Sequence, residues 1–92
     1  MIDIDEVREE DFKNNPAVKA EYEKMRPVYK LIGRLIEART RAGLTQSQIA
    51  ERMKTTQSVV SRMESGGSMP SIKMVTRYAE ATGYEVGLVR AE

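Results

Sequence analysis

Apolar residues recur at helical spacing through most of this 92-residue chain. The sharpest run begins at Val28, where six of seven positions on one helix face are apolar: Val28, Leu31, Ile32, Leu35, Ile36, Arg39 and Ala42. This spacing predicts an amphipathic helix. Three shorter segments have apolar faces as well: Ile49, Ala50 and Met53; Val59, Val60 and Met63; and Ile72, Val75, Ala79 and Thr82 with Met74 and Tyr78 beside them. The pattern therefore predicts four core helices.

Capping signals mark the ends of these helices. Gly43 follows the first helix, where a left-handed residue commonly ends one, and Thr45 begins the second with Gln48 at capping-box spacing. Upstream, Pro16 suits the first turn of an additional N-terminal helix. Pro27 is expected to end that helix or restart it. The predicted fold class is therefore an all-α bundle of five helices.

The C-terminal stretch changes from helical spacing to strict alternation. In "YEVGLV", the residues Tyr84, Val86 and Leu88 fall on one side at period two, which predicts a short strand. No second strand is predicted in the same chain, and an unpaired strand is unstable. Pairing with the same strand of a second copy across a two-fold axis would solve this, so we expect a homodimer. The alternative is a C-terminal coil packed on the bundle.

The composition argues against several classes of function. The chain has no Cys, no His and no Trp, so it lacks thiolate and imidazole groups for metal binding or general base catalysis. We expect neither an enzyme nor a metal or cofactor site. The N-terminus is acidic, unlike a signal peptide, and no apolar run approaches the ~20 residues that span a bilayer. We expect a cytoplasmic protein without a membrane partner.

The net charge of +1 hides a separation of charges along the chain. Residues 1–11 hold six acidic residues against Arg8, a net charge of −5. Residues 27–82 hold nine basic residues against four acidic ones, a net charge of +5. Such asymmetry indicates two kinds of partner, although an acidic, solvated tail on an ordinary domain gives the same composition.

The stretch "TQSQIAERMKTTQSVVSRMESG" has an unusual polar surface. Two short predicted helices meet at a tight turn, and Gln, Ser and Thr occupy positions that Glu and Lys usually fill. This arrangement suggests a helix-turn-helix, whose second helix enters the major groove of DNA. The groove floor offers donors, acceptors and thymine methyl groups, which neutral hydrogen-bonding side chains, arginine and small apolar groups can read.

Individual roles follow from position within this motif. We predict base contacts from the second helix of the motif, with Gln57 able to bond adenine at two atoms and Arg62 guanine: Gln57, Ser58, Val59, Ser61 and Arg62. We predict phosphate contacts from helix starts and a basic residue: Thr45, Gln46, Ser47, Thr56 and Lys73.

Several of these residues have simpler explanations. Thr45 and Thr56 can be helix caps, Gln46 can be ordinary surface, and Arg62 can pair with a carboxylate of the protein. Glu64 is expected to be structural, facing an arginine or the backbone. Val60 and the Met residues at helical spacing are assigned to the core.

The segment "GLTQSQIAERMKTTQSVVSRMESGGSMPS" resembles the helix-turn-helix of the Cro and phage-repressor (XRE) family. The family pattern is met at Leu44–Gln46, Ile49–Ala50, Thr56–Gln57, Ser61 and Glu64–Gly66, followed by Pro70-Ser71. One departure is Lys54, where the family often has Gly in the turn. A residue other than Gly at positive φ costs on the order of 1 kcal/mol there.

The ends of the chain are similar to those of HigA-type antitoxins of type II toxin–antitoxin modules. That resemblance rests on the acidic extension with Phe12, Pro16 and Tyr22, the "LIEAR" helix and the terminal strand. It implies two partners: operator DNA bound by a dimer, and a basic mRNA endonuclease toxin of the HigB/RelE class. The acidic N-terminal segment would contact the toxin through apolar anchors and charges: Phe12, Tyr22, Met25, Asp5, Glu9 and Asp11. The alternative is that this segment packs on the bundle.

The expected domain organisation has three parts. Residues 1–27 form an acidic extension that contacts a toxin, residues 28–83 form the DNA-binding domain, and residues 84–92 form the dimerisation strand. The expected function is that of an antitoxin that represses its own operon by occupying a palindromic operator. The alternatives are a free-standing repressor of the same fold and a protein-interaction module that has lost DNA binding.

Overall fold

A 26-residue helix, α1 (Pro16–Arg41), opens the part of the chain that this computed structural model describes, residues 16–91. Pro27 lies inside α1 and does not end it, so the prediction of two separate helices is wrong. A proline in a helix interior removes one backbone donor and costs about 3 kcal/mol, and α1 continues through Pro27 despite this cost.

Three short helices follow: α2 (Gln46–Arg52), α3 (Gln57–Glu64) and α4 (Ile72–Ala81). Residues 16–91 thus contain four helices, not five, and no strand. Each short helix begins at a hydroxyl side chain that accepts a backbone N–H: Thr45 from Gln48, Thr56 from Val59 and Ser71 from Met74. In addition, the backbone N–H of Thr45 donates to the side-chain oxygen of Gln48, which completes the predicted capping box. The chain reverses after α1 at Gly43, which has φ of 72°.

All four helices contribute to one core. Its buried members are Leu35, Ile49, Ala50, Met53, Val60, Met63, Val75, Tyr78 and Ala79. Met53, Val60 and Met63 therefore lie in the core as expected, and Met74 packs against it. Removing any of the larger of these side chains should cost about 2–5 kcal/mol, because the close-packed interior collapses only partly around a cavity.

Two details of the predicted helix faces are wrong. On α1 the buried residues are Ile32, Leu35 and Ala38, whereas Leu31 is 38% exposed and Ala42 is exposed. The packed face is thus rotated slightly from the one that the apolar pattern indicated. On α4 Ile72 is 84% exposed. It occupies the first helical position next to the Ser71 cap, where the chain is still approaching the bundle.

The C-terminal segment, residues 84–91, carries no regular secondary structure, so the predicted strand is absent from the single chain. The Tyr84 N–H bonds to the Ala79 carbonyl oxygen, and no backbone–backbone hydrogen bond joins residues 85–91 to residues 16–84. A strand needs a partner for its backbone groups, and the described chain offers none. Within residues 16–91, no helix has both the length and the apolar character that a membrane crossing requires.

Candidate nucleic-acid interface

A four-residue turn from Met53 to Thr56 joins α2 to α3. The turn is closed by backbone bonds from Lys54 to Glu51 and from Thr55 to Ala50. Lys54 has φ of 57°, the one positive φ of a non-glycine residue among residues 16–91. The turn therefore keeps the left-handed geometry that Gly usually fills, here with a residue that carries a Cβ. The helices α2 and α3 also pack directly on each other.

Helix α3 has one face in the core and the other in solvent. Val60, Met63 and Glu64 are buried, with exposed fractions of 0%, 4% and 3%. On the outer side Gln57, Ser58, Val59 and Arg62 are exposed and Ser61 is half-buried. Ser61 and Arg62 lie three and four residues after Ser58, so both are its neighbours on the helix surface. All five residues predicted to contact bases are thus present along the side that α3 turns away from the core.

Arg62 makes no ion pair within the described part of the chain. The ion pairs there are Arg34–Glu37, Arg41–Glu37 and Arg39–Glu64. Val59 is 38% exposed, which leaves part of an apolar side chain accessible on the same helix. The outer side of α3 therefore offers hydroxyls, one amide, one unpaired guanidinium and one small apolar group.

Beneath this face, the buried carboxylate of Glu64 accepts four hydrogen bonds. Arg39 donates from Nε to Oε2 (2.9 Å) and from Nη2 to Oε1 (3.0 Å). Tyr78 Oη donates to Oε2 at 2.7 Å, and Gln46 Nε2 donates to Oε1 at 3.2 Å. An ionised carboxylate has about four lone-pair sites, so Glu64 is saturated. This confirms the expectation that Glu64 is structural and faces an arginine.

The Glu64 carboxylate also shifts the pKa values of its neighbours Arg39 and Tyr78. Burial and the adjacent Glu64 carboxylate raise the pKa of the Tyr78 phenol well above 10, so it remains a donor at neutral pH. For Arg39, burial lowers the pKa, but the hydrogen bonds and charge of Glu64 outweigh burial and the pKa is raised. Arg39 and Tyr78 therefore stay in their donating forms at neutral pH.

Gln46 connects this buried cluster to the surface of α3. While its Nε2 donates to Glu64, its Oε1 accepts a bond from Gln57 Nε2 at 3.1 Å. Gln46 is half-buried and Gln57 is exposed. The explanation of Gln46 as ordinary surface is therefore incomplete, because its amide bridges the core cluster and the first residue of α3.

The residues predicted to contact phosphate lie near helix starts. Thr45 and Thr56 are N-caps whose side chains remain exposed, so the capping explanation holds for both. Ser47 is exposed in the first turn of α2, and Lys73 is exposed in the first turn of α4. The structure brings Gln46 and Gln57 into direct contact. Among residues 16–91, no hydrogen bond or ion pair joins Ser47, Ser58 and Lys73 in a common cluster.

The remaining predicted sites are only partly within the described residues. Asp5, Glu9, Asp11 and Phe12 lie outside residues 16–91. Tyr22 and Met25 are half-buried on the N-terminal half of α1, with the Tyr22 ring 6.1 Å from that of Tyr29. Tyr84 and Val86 are about half exposed, and Leu88 is fully exposed. Within the described part of the chain, no group of three or more acidic residues is placed to hold a metal ion.

Sequence reasoning missed the links from Glu64 to Tyr78 and Gln46. One signal was available: Arg39 was the single charged residue in the apolar stripe of α1. A charged side chain on a buried face requires a partner, and Glu64 is the only acidic residue of α3. The positions of Tyr78 and Gln46 around that pair depend on how four helices pack, which no local pattern specifies.

Comparison with known families agrees with this geometry. A helix-turn-helix family model matches residues 35–89, more than half of the 92-residue chain. The matched range includes α2, α3 and α4 and the last part of α1, from Leu35 onward. No curated protein and no solved structure matches the chain at a significant level.

Proposed function

Because this chain belongs to the helix-turn-helix family, a family of DNA-binding transcription regulators, we propose that it represses transcription by occupying operator DNA with α3 in the major groove. The observation that carries this proposal is the outer face of α3. It holds neutral hydrogen-bonding groups and an arginine that makes no ion pair with any other of residues 16–91, whereas its inner face is buried in the core. The proposed function involves binding only, without covalent chemistry, and its place is the nucleoid in the cytoplasm.

The roles proposed on this face follow the chemistry of base edges. Gln57 would bond adenine at N6 and N7, Arg62 would bond guanine at N7 and O6, and Val59 would meet a thymine methyl group. Thr45, Ser47, Thr56 and Lys73 would contact phosphates, since each is exposed near a helix start.

Selection of bound sequences from random duplex DNA, followed by titration of the enriched site, tests this function. We expect one enriched site for the wild type, and we expect Arg62→Ala to weaken binding to it by about 1–3 kcal/mol. Arg26→Ala is the matched control, because it removes the same charge from an exposed position on α1. Equal loss in the two variants would mean that Arg62 contributes only charge. No enrichment by the wild type would refute the proposed function.

We also propose that the regulator is a homodimer joined through the C-terminal segment. Apolar side chains there lie open to solvent: Tyr84, Val86, Leu88 and Val89. Between this segment and α1 is a cavity of about 260 Å³, lined in part by Leu31, Leu35 and Val86. A second copy of the segment would cover Tyr84, Val86 and Leu88, which lie on one side of an extended segment, and would supply the missing backbone partners. Two α3 helices would then read half-sites about 34 Å apart.

The separation of charges supports a finer proposal, that the protein is an antitoxin of the HigA type. The acidic residues 1–11, with a net charge of −5, would attract a basic toxin of the HigB/RelE class, while the basic part of the chain faces DNA. Tyr22 and Met25, half-buried on a section of α1 that has no fully buried residue, would add apolar contact. A repressor without a toxin partner is the alternative.

Co-expression with the neighbouring open reading frames distinguishes these two readings. An antitoxin should co-purify with a small basic protein and relieve the growth arrest that this protein causes. Deletion of residues 1–15 should then abolish co-purification and leave operator binding intact. If no neighbour co-purifies while the chain still binds its own promoter, the antitoxin proposal is refuted and the repressor remains.

A further inference from the structure

A depression of about 440 Å³ lies where the C-terminal ends of α2 and α4 meet. Arg52, the last residue of α2, and Ala81, the last residue of α4, both line it. The side chains proposed to contact operator phosphate belong instead to the starts of α2, α3 and α4. None of them lines this depression, so its chemistry is not explained by the proposed function.

The depression is surrounded by more positive than negative charge. Its charged lining residues are Arg52, Lys54, Arg77 and Glu80, and all four are exposed. They carry three positive charges and one negative charge, a net charge of +2. Among residues 16–91, none of the three basic side chains forms an ion pair. The depression therefore complements a ligand with two negative charges.

Two of the three basic residues have defined backbone surroundings. Arg52 Nη1 donates to the Ala81 carbonyl oxygen at 3.0 Å, which satisfies the end of α4 and leaves other N–H groups of the guanidinium available. Lys54 has φ of 57°, a conformation that glycine adopts more readily than any residue with a Cβ. A residue kept in an unfavourable backbone conformation points to a role for its side chain.

We propose that this depression binds a small phosphate monoester, which carries about two negative charges at neutral pH. Guanidinium groups match phosphate oxygens in pairs, and the Lys54 ammonium group supplies a further donor. A bound ester would connect the turn before α3, through Lys54, with α4, through Arg77. The ligand would thus act as an effector of the bundle, bound away from the outer face of α3.

Titration of isotopically labelled protein with glycerol 2-phosphate, followed by amide chemical shifts, tests the site. Ionic strength is held constant with sodium chloride, so that screening does not change. We expect the shifts to centre on the turn at Lys54 and on the end of α4. Lys54→Gln and Arg77→Gln should each weaken binding about two- to fivefold, the range for exposed charge pairs. Arg26→Gln, at an exposed position on α1, is the matched control and should leave binding unchanged.

Glu80 provides a variant with an effect of the opposite sign. Its carboxylate lines the depression and repels an anion, so Glu80→Gln should tighten binding about two- to fivefold. Glu23→Gln removes the same charge from an exposed position on α1 and should have no effect. Thermal unfolding of every variant checks that the bundle is intact.

The pH dependence reports the charge of the bound ligand. A phosphate monoester gains its second negative charge near pH ~6, whereas sulfate keeps two charges at all higher and somewhat lower pH values. The chain has no histidine, so no imidazole of the protein titrates in this range. Binding of glycerol 2-phosphate should tighten about fivefold or more from pH ~5 to pH ~7.5, and binding of sulfate should stay constant.

Four outcomes would overturn the inference. One is the absence of shifts with glycerol 2-phosphate. Another is equal weakening by Lys54→Gln, Arg77→Gln and Arg26→Gln, which would show general attraction to a basic protein. Unchanged binding by Glu80→Gln is the third. The fourth is displacement of the ester by an operator duplex, which would make the depression part of the DNA contact. The first three leave the proposed function intact, because selection of bound DNA tests it separately.

Discussion

Tyr78 shows at the scale of one residue how the core supports the surface of α3. Its ring is fully buried, and its hydroxyl is one of the four donors to Glu64. A hydrogen bond to a charged group is worth about 1.5–3 kcal/mol in mutational series. Since Glu64 keeps three donors without it, removal of this hydroxyl should weaken the bundle without unfolding it.

We predict that Tyr78→Phe lowers the free energy of unfolding by about 1–3 kcal/mol at pH 7. The difference between the two proteins should shrink in alkali. Because the folded pKa of Tyr78 is raised above its unfolded value of about 10, the contribution is fully present below pH ~10 and declines as pH rises further. Urea titrations of both proteins at pH 8 and at pH 10.5 measure this. A constant difference would contradict the linkage.

The backbone conformation of Lys54 also affects the stability of the protein. With φ of 57°, it occupies a region that disfavours any residue with a Cβ. We predict that Lys54→Gly raises the free energy of unfolding by up to about 1 kcal/mol, the relief of strain being partly offset by the added freedom of the unfolded chain. Lys54→Ala removes the same charge but keeps the Cβ and should give no such gain. Thermal unfolding compares the three proteins, and an equal gain from Ala would point to charge instead of strain.

At the scale of elements, α1 consists of two halves in different surroundings. Its C-terminal half buries Ile32, Leu35 and Ala38, whereas residues 16–26 include no buried side chain. Pro27 lies where these halves meet and lacks the N–H that would bond to the Glu23 carbonyl. The N-terminal half of α1 is therefore stabilised more by its backbone hydrogen bonds than by side-chain packing.

We predict that Pro27→Ala stabilises the N-terminal half of α1 locally. An interior proline costs about 3 kcal/mol, so amide exchange over residues 16–26 should slow by up to about 100-fold. The unfolding midpoint of the bundle should change little. Pro70→Ala, which replaces a loop proline before α4, is the control and should leave exchange in residues 16–26 unaltered. Unchanged exchange in Pro27→Ala would contradict this explanation.

The short helices were the elements that sequence predicted best, because their signals are local. Thr45, Thr56 and Ser71 cap α2, α3 and α4 within three residues of themselves, and apolar spacing placed Val60 and Met63 in the core. Pro27 was misjudged because a proline's effect depends on the residues that flank it. The links around Glu64 join residues 14 to 25 positions apart, so they depend on tertiary packing that local spacing does not encode.

At the scale of the whole molecule, the C-terminal segment exposes apolar side chains and backbone groups that a second chain could cover. Leu88 and Val89 are almost completely exposed, and the backbone beyond Tyr84 has no backbone partner within the described residues. On the proposed dimer, alternate residues of the extended segment face opposite ways, so Tyr84, Val86 and Leu88 would lie at the interface.

We predict that Leu88→Asp weakens the dimer about tenfold or more, because it buries a charge in an apolar interface. Val89→Asp adds the same charge to the adjacent residue, which faces the other way, and should have a much smaller effect. Sedimentation equilibrium of both variants measures the dissociation constants. Equal effects would contradict the alternating arrangement, and a wild-type monomer at all concentrations would contradict the dimer itself.

The cluster around Glu64 has a consequence for attempts to redesign this protein. Each of the four helices contributes one of its members: Arg39, Gln46, Glu64 and Tyr78. A grafted recognition helix would bring its own Glu64 and Gln57 but not the three side chains that hold them. Exchange of α3 alone into a foreign scaffold should therefore bury the Glu64 carboxylate without its donors, and the hybrid protein should be less stable. A hybrid protein that keeps the hydrogen bonds of Glu64 would need all four helices to be transferred together.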